Sequence, residues 1–422
     1  VDQLLASDEF TEYWTLQFSK LLRIRPQPGD RQGALTYHSW LKNCIADNTP
    51  YDQLARELLT ASGDTHQVGP ANFYRTVAGA REQAEFVSEL FMGTRLRCAN
   101  CHNHPLDRWT QDDYHGLAAI FAKVDRGRVI TVSERGEVTH PRTGEAAIPR
   151  IPGDEFLTET EDGRQKIAEW LTDSNNPYFA KAVVNRLWKA LMGRGLVEPT
   201  DDLRSTNPAT HPRLLEQLAS NFVEHDYDLR HTLRLIALSE TYGRGALPLP
   251  GNHFDDRYYS HALSRPLGPE VLADAIADVT GVFDQYEGQT LGTRAVSLFD
   301  PSVESETLDV LGRCSREESC ETPDDSATGG LTLKLHLLNG PLLNRRITHL
   351  ESRLAKHLDT QTPPAEVVNH FYTLALGRDP LPKEQQFWHK QLESAISRQH
   401  EREVLEDFLW SLLTCREFVT NH

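Results

Sequence analysis

Apolar residues recur at helical intervals along most of the chain. In DQLLASDEFTEYWTLQFSKLL, the residues Phe10, Trp14, Phe18 and Leu21 follow one another every three or four positions. The segment KAVVNRLWKALMGRG carries two adjacent apolar stripes, and its glycines end the pattern. Two further helical patterns follow Thr210, and three more follow Pro363. The hydrophobic pattern therefore predicts a mainly α protein.

One convincing strand-like alternation interrupts the helices. It lies in GRVITVSERGEVTHPRTGEAAIPRIP, residues 127–152, where Arg135-Gly136 fits a turn. We predict a small β-hairpin there, followed by an extended proline-rich segment. A chain of 422 residues also exceeds one ordinary core. We therefore predict a multi-helix first domain of residues 1–156, with the hairpin as an insertion, and a larger helical domain of residues 157–422.

Composition and charge exclude several classes of partner. The formal net charge is -17, and no basic stretch with interleaved aromatic residues offsets it, so nucleic acid is excluded as a partner. No run of eighteen apolar residues exists, which predicts that this chain has no transmembrane segment. Six cysteines in 422 residues do not make a disulfide scaffold. The chemistry is therefore expected at particular cysteines.

The densest chemistry lies in RCANCHNHPLDRWTQDDY, residues 97–114. Cys98, Cys101 and His102 form the pattern Cys-x-x-Cys-His, here called the motif. Covalent haem c needs two thiols for the two vinyl edges of a porphyrin and a histidine beside the second thiol for the iron. The motif meets that requirement within five residues, with His102 as the iron ligand.

Two other interpretations of the motif stay open. A structural zinc site would use both cysteines and a histidine, but it needs a remote ligand that no second Cys-x-x-Cys supplies. A redox dithiol usually opens a helix in a βαβ unit, and that pattern is absent from the sequence. His104 cannot ligate the face of a haem opposite His102, because two residues do not span the porphyrin. A hydrogen bond near the ligands suits His104 better.

Several segments resemble one known family. RLRCANCHNHPLDRWTQDDYHGLAAIFAKV resembles the signature of the planctomycete-type cytochrome c-like domain. The opening VDQLLASDEFTEYW is similar to the start of that domain. VVNRLWKALMGRGLVEPTDDLRSTNPATHPRLLEQLASNF, RPLGPEVLADAIADVTG and LHLLNGPLLNRRI resemble its companion, a C-terminal domain of unknown function. The resemblance spans nearly the whole chain, and it departs from the family at His115 and at the cysteine motif around Cys320.

The resemblance implies a location and a setting. Proteins of this kind are exported, so we expect an extracytoplasmic protein, periplasmic or at the cell surface, whose export signal lies outside these residues. They commonly carry a further haem domain upstream, so we expect such a domain or a larger complex. Export also implies an oxidising compartment, and we predict a disulfide between Cys314 and Cys320 in the polar segment CSREESC.

Residues near the motif are candidates for supporting roles. Arg108 either pairs with a haem propionate or forms a salt bridge at the start of the next helix. Trp109 either packs in the core or forms a wall against the haem. The second axial position of the iron is either open or filled. If it is filled, we predict His140 as the ligand, because its segment resembles the family pattern, and Met92 and His115 are the alternatives nearer in sequence.

The sequence as a whole favours a c-type haem protein outside the cytoplasm. It would carry electrons to or from a redox partner protein, or oxidise a substrate as a haem-dependent oxidoreductase. The competing class is a binding or assembly module of an exported complex, stabilised by a metal or free of one, without haem. If the protein is an enzyme, we expect a cleft beside the haem, with residues 200–211 and 314–330 at its rim.

Overall fold

The structure is a computed structural model that describes residues 1–158, 162–320 and 340–421. These residues form two compact units. The first contains Val1–Leu263 and residues 316–320, and the second contains Ser264–Ser315 and residues 340–421. The predicted boundary at residues 156 and 157 lies inside the first unit, because helices on both sides of it share one core.

The fold is mainly helical, as the hydrophobic pattern predicts. The helices of the first unit are α1 (Asp2–Leu5), α2 (Asp8–Leu21), α3 (Arg31–Ala46), α4 (Tyr51–Thr60), α5 (Ala80–Val87), α6 (Gln111–Ala122), α7 (Gly163–Leu171), α8 (Phe179–Met192), α9 (Pro212–Glu224) and α10 (Leu229–Ala237). Shorter turns are the 3₁₀ segments Gly69–Arg75 and Arg97–Asn100 and the π-helical turn Ser88–Met92. Local signals contribute to these ends, and at the start of α6 the signal is a capping box formed by Thr110 and Asp113.

Aromatic side chains from distant helices form the core of the first unit. Tyr51, at the start of α4, stacks on Phe179 of α8 at a ring distance of 5.1 Å and also contacts Phe18, Phe91 and Phe222. All five rings are buried. Burying a side chain of that size contributes about 1.5–3 kcal/mol, so this cluster is a large part of what holds α2, α4, α8 and α9 together.

A small antiparallel hairpin is present, but its turn is not where the sequence suggests. Strands β2 (Val124–Arg126) and β3 (Val129–Val132) pair with each other, and β1 (Gly63–Asp64) pairs with the other edge of β3. The turn therefore lies at residues 127 and 128, and the prediction of a turn at Arg135-Gly136 is wrong. Val124 and Ile130 are the buried positions of these strands, which explains the register.

The second unit has its own helices and its own core. Its helices are Pro269–Thr280, Glu306–Leu311, Pro341–Ile347, Arg353–Asp359, Pro364–Leu376, Pro382–Glu393, Arg398–Thr414 and Arg416–Val419. A 3₁₀ turn (Ala295–Ser297) and the two-residue strands β4 (Arg265–Pro266) and β5 (Thr420–Asn421) also belong to it. Leu343, Phe371, Phe408 and Leu409 are at its centre. In the described parts of the chain, no helix is long and apolar enough to cross a membrane.

Cys314 and Cys320 are both disulfide-bonded, whereas Cys44, Cys98, Cys101 and Cys415 are free. The predicted disulfide is therefore confirmed. Residues 243–257 contain no helix or strand, and residues 314–320 of the predicted rim segment 314–330 are also irregular. Residues 321–330, the rest of that segment, lie outside the described residues.

Candidate functional site

The motif follows an abrupt change of chain direction. The π-helical turn ends at Gly93, whose φ of +59° is a left-handed conformation that favours glycine. The Gly93 carbonyl then accepts a hydrogen bond of 2.8 Å from the amide of Leu203. Cys98 lies in the 3₁₀ turn Arg97–Asn100 that comes next. The motif is therefore placed on a loop between two fixed points, Gly93 and the start of α6.

Helix α6 forms several hydrogen bonds with the motif loop. Nε2 of His115 lies 3.0 Å from the carbonyl oxygen of Asn100, and the side-chain amide of Gln111 donates to the carbonyl of Cys101 at 2.9 Å. The backbone amide of Gln111 also donates to Oδ1 of Asn103 at 3.1 Å. Two successive carbonyls of the motif are thus bound by side chains from one helix.

Further hydrogen bonds close the loop on itself. The amide of His104 donates to the carbonyl of Trp109 at 2.8 Å, and Nδ1 of His104 accepts from the amide of Leu106 at 3.2 Å. The hydroxyl of Thr206 donates to the carbonyl of Leu106 at 3.3 Å. The predicted rim segment 200–211 therefore lies beside the motif loop, and His104 supports the loop.

The reactive groups of the motif face outward. Cys98, Cys101 and His102 are all exposed, and both thiols are free. Nδ1 of His102 lies 2.8 Å from the carbonyl oxygen of Asn103. Because a carbonyl oxygen only accepts, Nδ1 carries the proton and Nε2 keeps the lone pair that can bind a metal.

Arg108 and Trp109 adjoin the motif but differ in exposure. Trp109 is only 1% exposed, and its ring centroid lies 5.5 Å from that of Tyr178, so Trp109 packs in the core. The exposed guanidinium of Arg108 lies 5.1 Å above the Trp109 ring and reaches the Gly153 carbonyl at 3.4 Å. Arg108 has no carboxylate partner among the described residues, and its side chain remains available to an anion.

The carboxylates at the start of α6 are engaged elsewhere. Oδ1 of Asp112 lies 3.2 Å from Arg142, and Asp113 caps α6 and lies 3.6 Å from Arg150. The salt bridge that would compete for Arg108 is therefore not formed.

The side chain of His115 lies between His140 and the motif. It is buried, and its ring centroid lies 5.0 Å from that of His115, which in turn binds Asn100. Nδ1 of His140 accepts from the amide of Arg142 at 3.2 Å, and Nε2 lies 3.0 Å from Oδ1 of Asp112, in ion-pair range but outside hydrogen-bond geometry. Iron ligation by His140 stays a prediction, and it requires Nε2 to leave Asp112.

The two alternatives to His140 are also placed. Met92 is fully buried at the end of the π-helical turn. Burial lowers the pKa of His115, against the opposing effect of its bond to Asn100, so its ring is neutral near pH 7. Nδ1 of His115 is buried and has no hydrogen-bond partner in the described chain.

A charged cluster just before the motif was not predicted from the sequence. Glu89, in the π-helical turn, lies 3.7 Å from Arg23, and Asp201 forms two hydrogen bonds of 2.8 Å with Arg95. Burial, followed by repulsion from Asp201, raises the pKa of Glu89 to about 7, against the opposing effect of Arg23. A carboxylate inside the apolar run FVSELFMG was the available signal.

The motif fits covalent attachment better than it fits a bare metal ion. Two accessible thiols and an imidazole with a free Nε2 are the groups that haem c attachment needs. No group of three or more His, Cys, Asp or Glu side chains within residues 1–158, 162–320 and 340–421 is arranged to hold a metal ion.

Two family models match the chain. Residues 163–392, more than half of it, match PSD1, described as a protein of unknown function (DUF1553). Residues 1–126 match PSCyt2, also described as a protein of unknown function (DUF1549). No curated protein and no solved structure matches. The motif falls within the PSCyt2 match, and α8 and α9 fall within the PSD1 match.

Proposed function

The chain belongs to the PSD1 family of proteins of unknown function, and we propose that it is a c-type haem protein acting outside the cytoplasm. One observation supports this proposal above the others. Cys98, Cys101 and His102 are exposed together on one loop, and the bond from His102 to Asn103 leaves Nε2 free. The thiols would hold the haem covalently, and His102 would bind its iron.

The chain's own residues would hold and orient the group. When bound, haem c supplies an iron that takes up and releases one electron. The exposed guanidinium of Arg108 supplies a cation for a propionate, and Trp109 supports that guanidinium from below. His140 is the proposed second iron ligand. Because the motif is exposed, one edge of the group would face a redox partner protein or a substrate, and electron transfer or haem-dependent oxidation both suit this placement.

The proposed location rests on the disulfide and the family. Cys314 and Cys320 are disulfide-bonded, and disulfides persist mainly in oxidising compartments. An upstream haem domain or a larger exported complex would supply the partner.

A second candidate function is a binding or assembly module without haem. The observation in its favour is that Trp109, Tyr114 and Phe121 pack in the core of the first unit, while the side chains of Cys98, Cys101 and His102 are exposed. A module of this kind would need no bound group to fill its core. The two candidates differ in one measurable property, the covalent mass at the motif.

The decisive experiment expresses the chain in a host with haem c maturation and measures the intact mass and the reduced optical spectrum. We expect the added mass of one haem and sharp reduced bands. Cys98→Ala and Cys101→Ala should each lose an attachment point, and Cys415→Ser, outside the motif, should keep the full mass. An unmodified mass with both motif thiols free to alkylate would leave the assembly module as the better interpretation.

A further inference from the structure

The first turns of α6 hold the motif by two side chains on one face. Gln111 and His115 are four residues apart, which places them one above the other on a helix. They bind the carbonyls of Cys101 and Asn100, which are also adjacent in sequence. We propose that Gln111 and His115 form a clamp that fixes the backbone of the motif and thereby positions both thiols and the His102 ring.

The choice of histidine at position 115 supports this role. His115 is 1% exposed, and its ring packs against Tyr114 and His140, which an apolar ring would do equally well. His115 also buries Nδ1, which has no hydrogen-bond partner among the described residues, and such burial is unfavourable. The bond from Nε2 to Asn100 is the one contact that requires a nitrogen at this position.

The capped start of α6 holds the two clamp residues in position. The hydroxyl of Thr110 accepts from the amide of Asp113, whose carboxylate accepts from the amide of Thr110 at 2.8 Å, so the start of α6 is capped in both directions. Oδ1 of Asp113 also accepts from the amide of Gly153 at 2.8 Å. Because α6 begins at a fixed residue, Gln111 and His115 present their donors at fixed positions.

The consequence concerns the geometry of the motif. Asn100 and Cys101 are the last two residues before His102, and Ala99 and Asn100 separate the two cysteines. With both carbonyls bound, the peptide units of this segment cannot rotate freely, so the thiols keep one spacing and His102 keeps one direction. Only the final step, better attachment of haem, rests on the proposed function. The clamp is a property of the protein without any bound group.

The first test uses the purified chain without haem. We expect His115→Phe and Gln111→Leu to increase amide hydrogen exchange in residues 99–103 by about two- to tenfold each, the range for loss of one hydrogen bond. His115→Gln restores a donor at similar reach and should return exchange toward the wild-type rate. The matched control is His225→Phe, which removes a histidine–carbonyl bond to Asn221 elsewhere in the first unit and should leave residues 99–103 unchanged.

The second readout is the relative alkylation rate of Cys98 and Cys101, measured by peptide mass spectrometry. A positioning role predicts a changed ratio of the two rates in His115→Phe with an unchanged rate at Cys415. Exchange that rises equally throughout the first unit, or that stays at the wild-type rate in residues 99–103, would overturn the clamp. If wild type gains haem, the clamp variants should gain less, and an equal yield with a loosened loop would overturn the role in attachment.

Discussion

Glu89 should make the first unit less stable as the pH rises, and Glu89→Gln should remove this dependence. Its carboxylate lies 3.7 Å from Arg23, too far for a hydrogen bond, and its other charged neighbours include Asp201 and Glu85. Burial, reinforced by these two acids, raises the pKa of Glu89 from 4.5 to about 7. In the unfolded chain, Glu89 should titrate near the ordinary value for glutamate.

The sign follows from proton binding. Between pH 4.5 and about 7, the folded protein keeps a proton on Glu89 that the unfolded chain has released, so stability falls as the pH rises through this window. The full shift corresponds to roughly 3 kcal/mol at about 1.4 kcal/mol per pH unit. The Glu89 side chain is 29% exposed, and solvent screening reduces this figure to about 1–3 kcal/mol.

The assay is urea unfolding of wild type and Glu89→Gln at pH 5 and pH 8. Glutamine has nearly the shape of the protonated acid, so the two proteins should differ little at pH 5. The free energy of unfolding of Glu89→Gln minus that of wild type should be about 1–3 kcal/mol larger at pH 8 than at pH 5. Other titrating groups cancel in this difference. An equal difference at both pH values, or a larger one at pH 5, would refute the reasoning.

Glu384, a carboxylate whose pKa is lowered, provides the control for Glu89, whose pKa is raised. Hydrogen bonds from Arg378 lower the pKa of Glu384, against the effect of burial. The stability from this contact is present above pH 4.5 and is lost as the pH falls through the lowered pKa. Glu384→Gln should therefore cost more at pH 8 than at pH 3, the reverse of Glu89→Gln.

Two further predictions test the surroundings of the motif and the disulfide. Gly93→Ala should destabilise the first unit by about 1–3 kcal/mol in thermal unfolding, because φ is +59° and a Cβ would lie 2.7 Å from Leu203. The control is Gly144→Ala, at φ +73° with open space around it, which should show only the smaller destabilisation that comes from backbone strain. Non-reducing peptide mapping of exported protein should recover Cys314 and Cys320 as one oxidised peptide, and recovery of both as alkylated thiols would contradict the disulfide.

The features that could be predicted from sequence are the local ones. The apolar stripes of α8 predict its buried face, and Val183, Val184, Leu187 and Trp188 are indeed buried. The capping box of α6 and the motif itself lie within short segments, where spacing determines geometry. Each of these signals depends on residues within about one or two helical turns of each other, so no knowledge of the tertiary structure is needed to interpret them.

The features that were missed depend on contacts between distant parts of the chain. The hairpin turn lies at residues 127 and 128 because β3 also pairs with β1, about sixty-five residues earlier, which no local alternation reveals. The residues that hold the motif, Gln111 and His115, were not singled out for that role, because their partners are carbonyl groups and leave no trace in side-chain pattern. Glu89 was missed because its pKa depends on burial in the folded unit and on Asp201, more than a hundred residues away.

The cysteines and the histidine of the motif lie outside the core, so a loss of haem attachment can be distinguished from a loss of folding. In many small metal sites the bound group is part of the folding free energy, so loss of function and loss of fold cannot be separated. Here Trp109, Tyr114 and Phe121 bury themselves against the chain's own side chains, while Cys98 and Cys101 are exposed. Substitutions at the two thiols remove little buried contact and should leave stability nearly unchanged. A loss of attached mass in these variants can therefore be assigned to chemistry at the motif, and not to unfolding of the first unit.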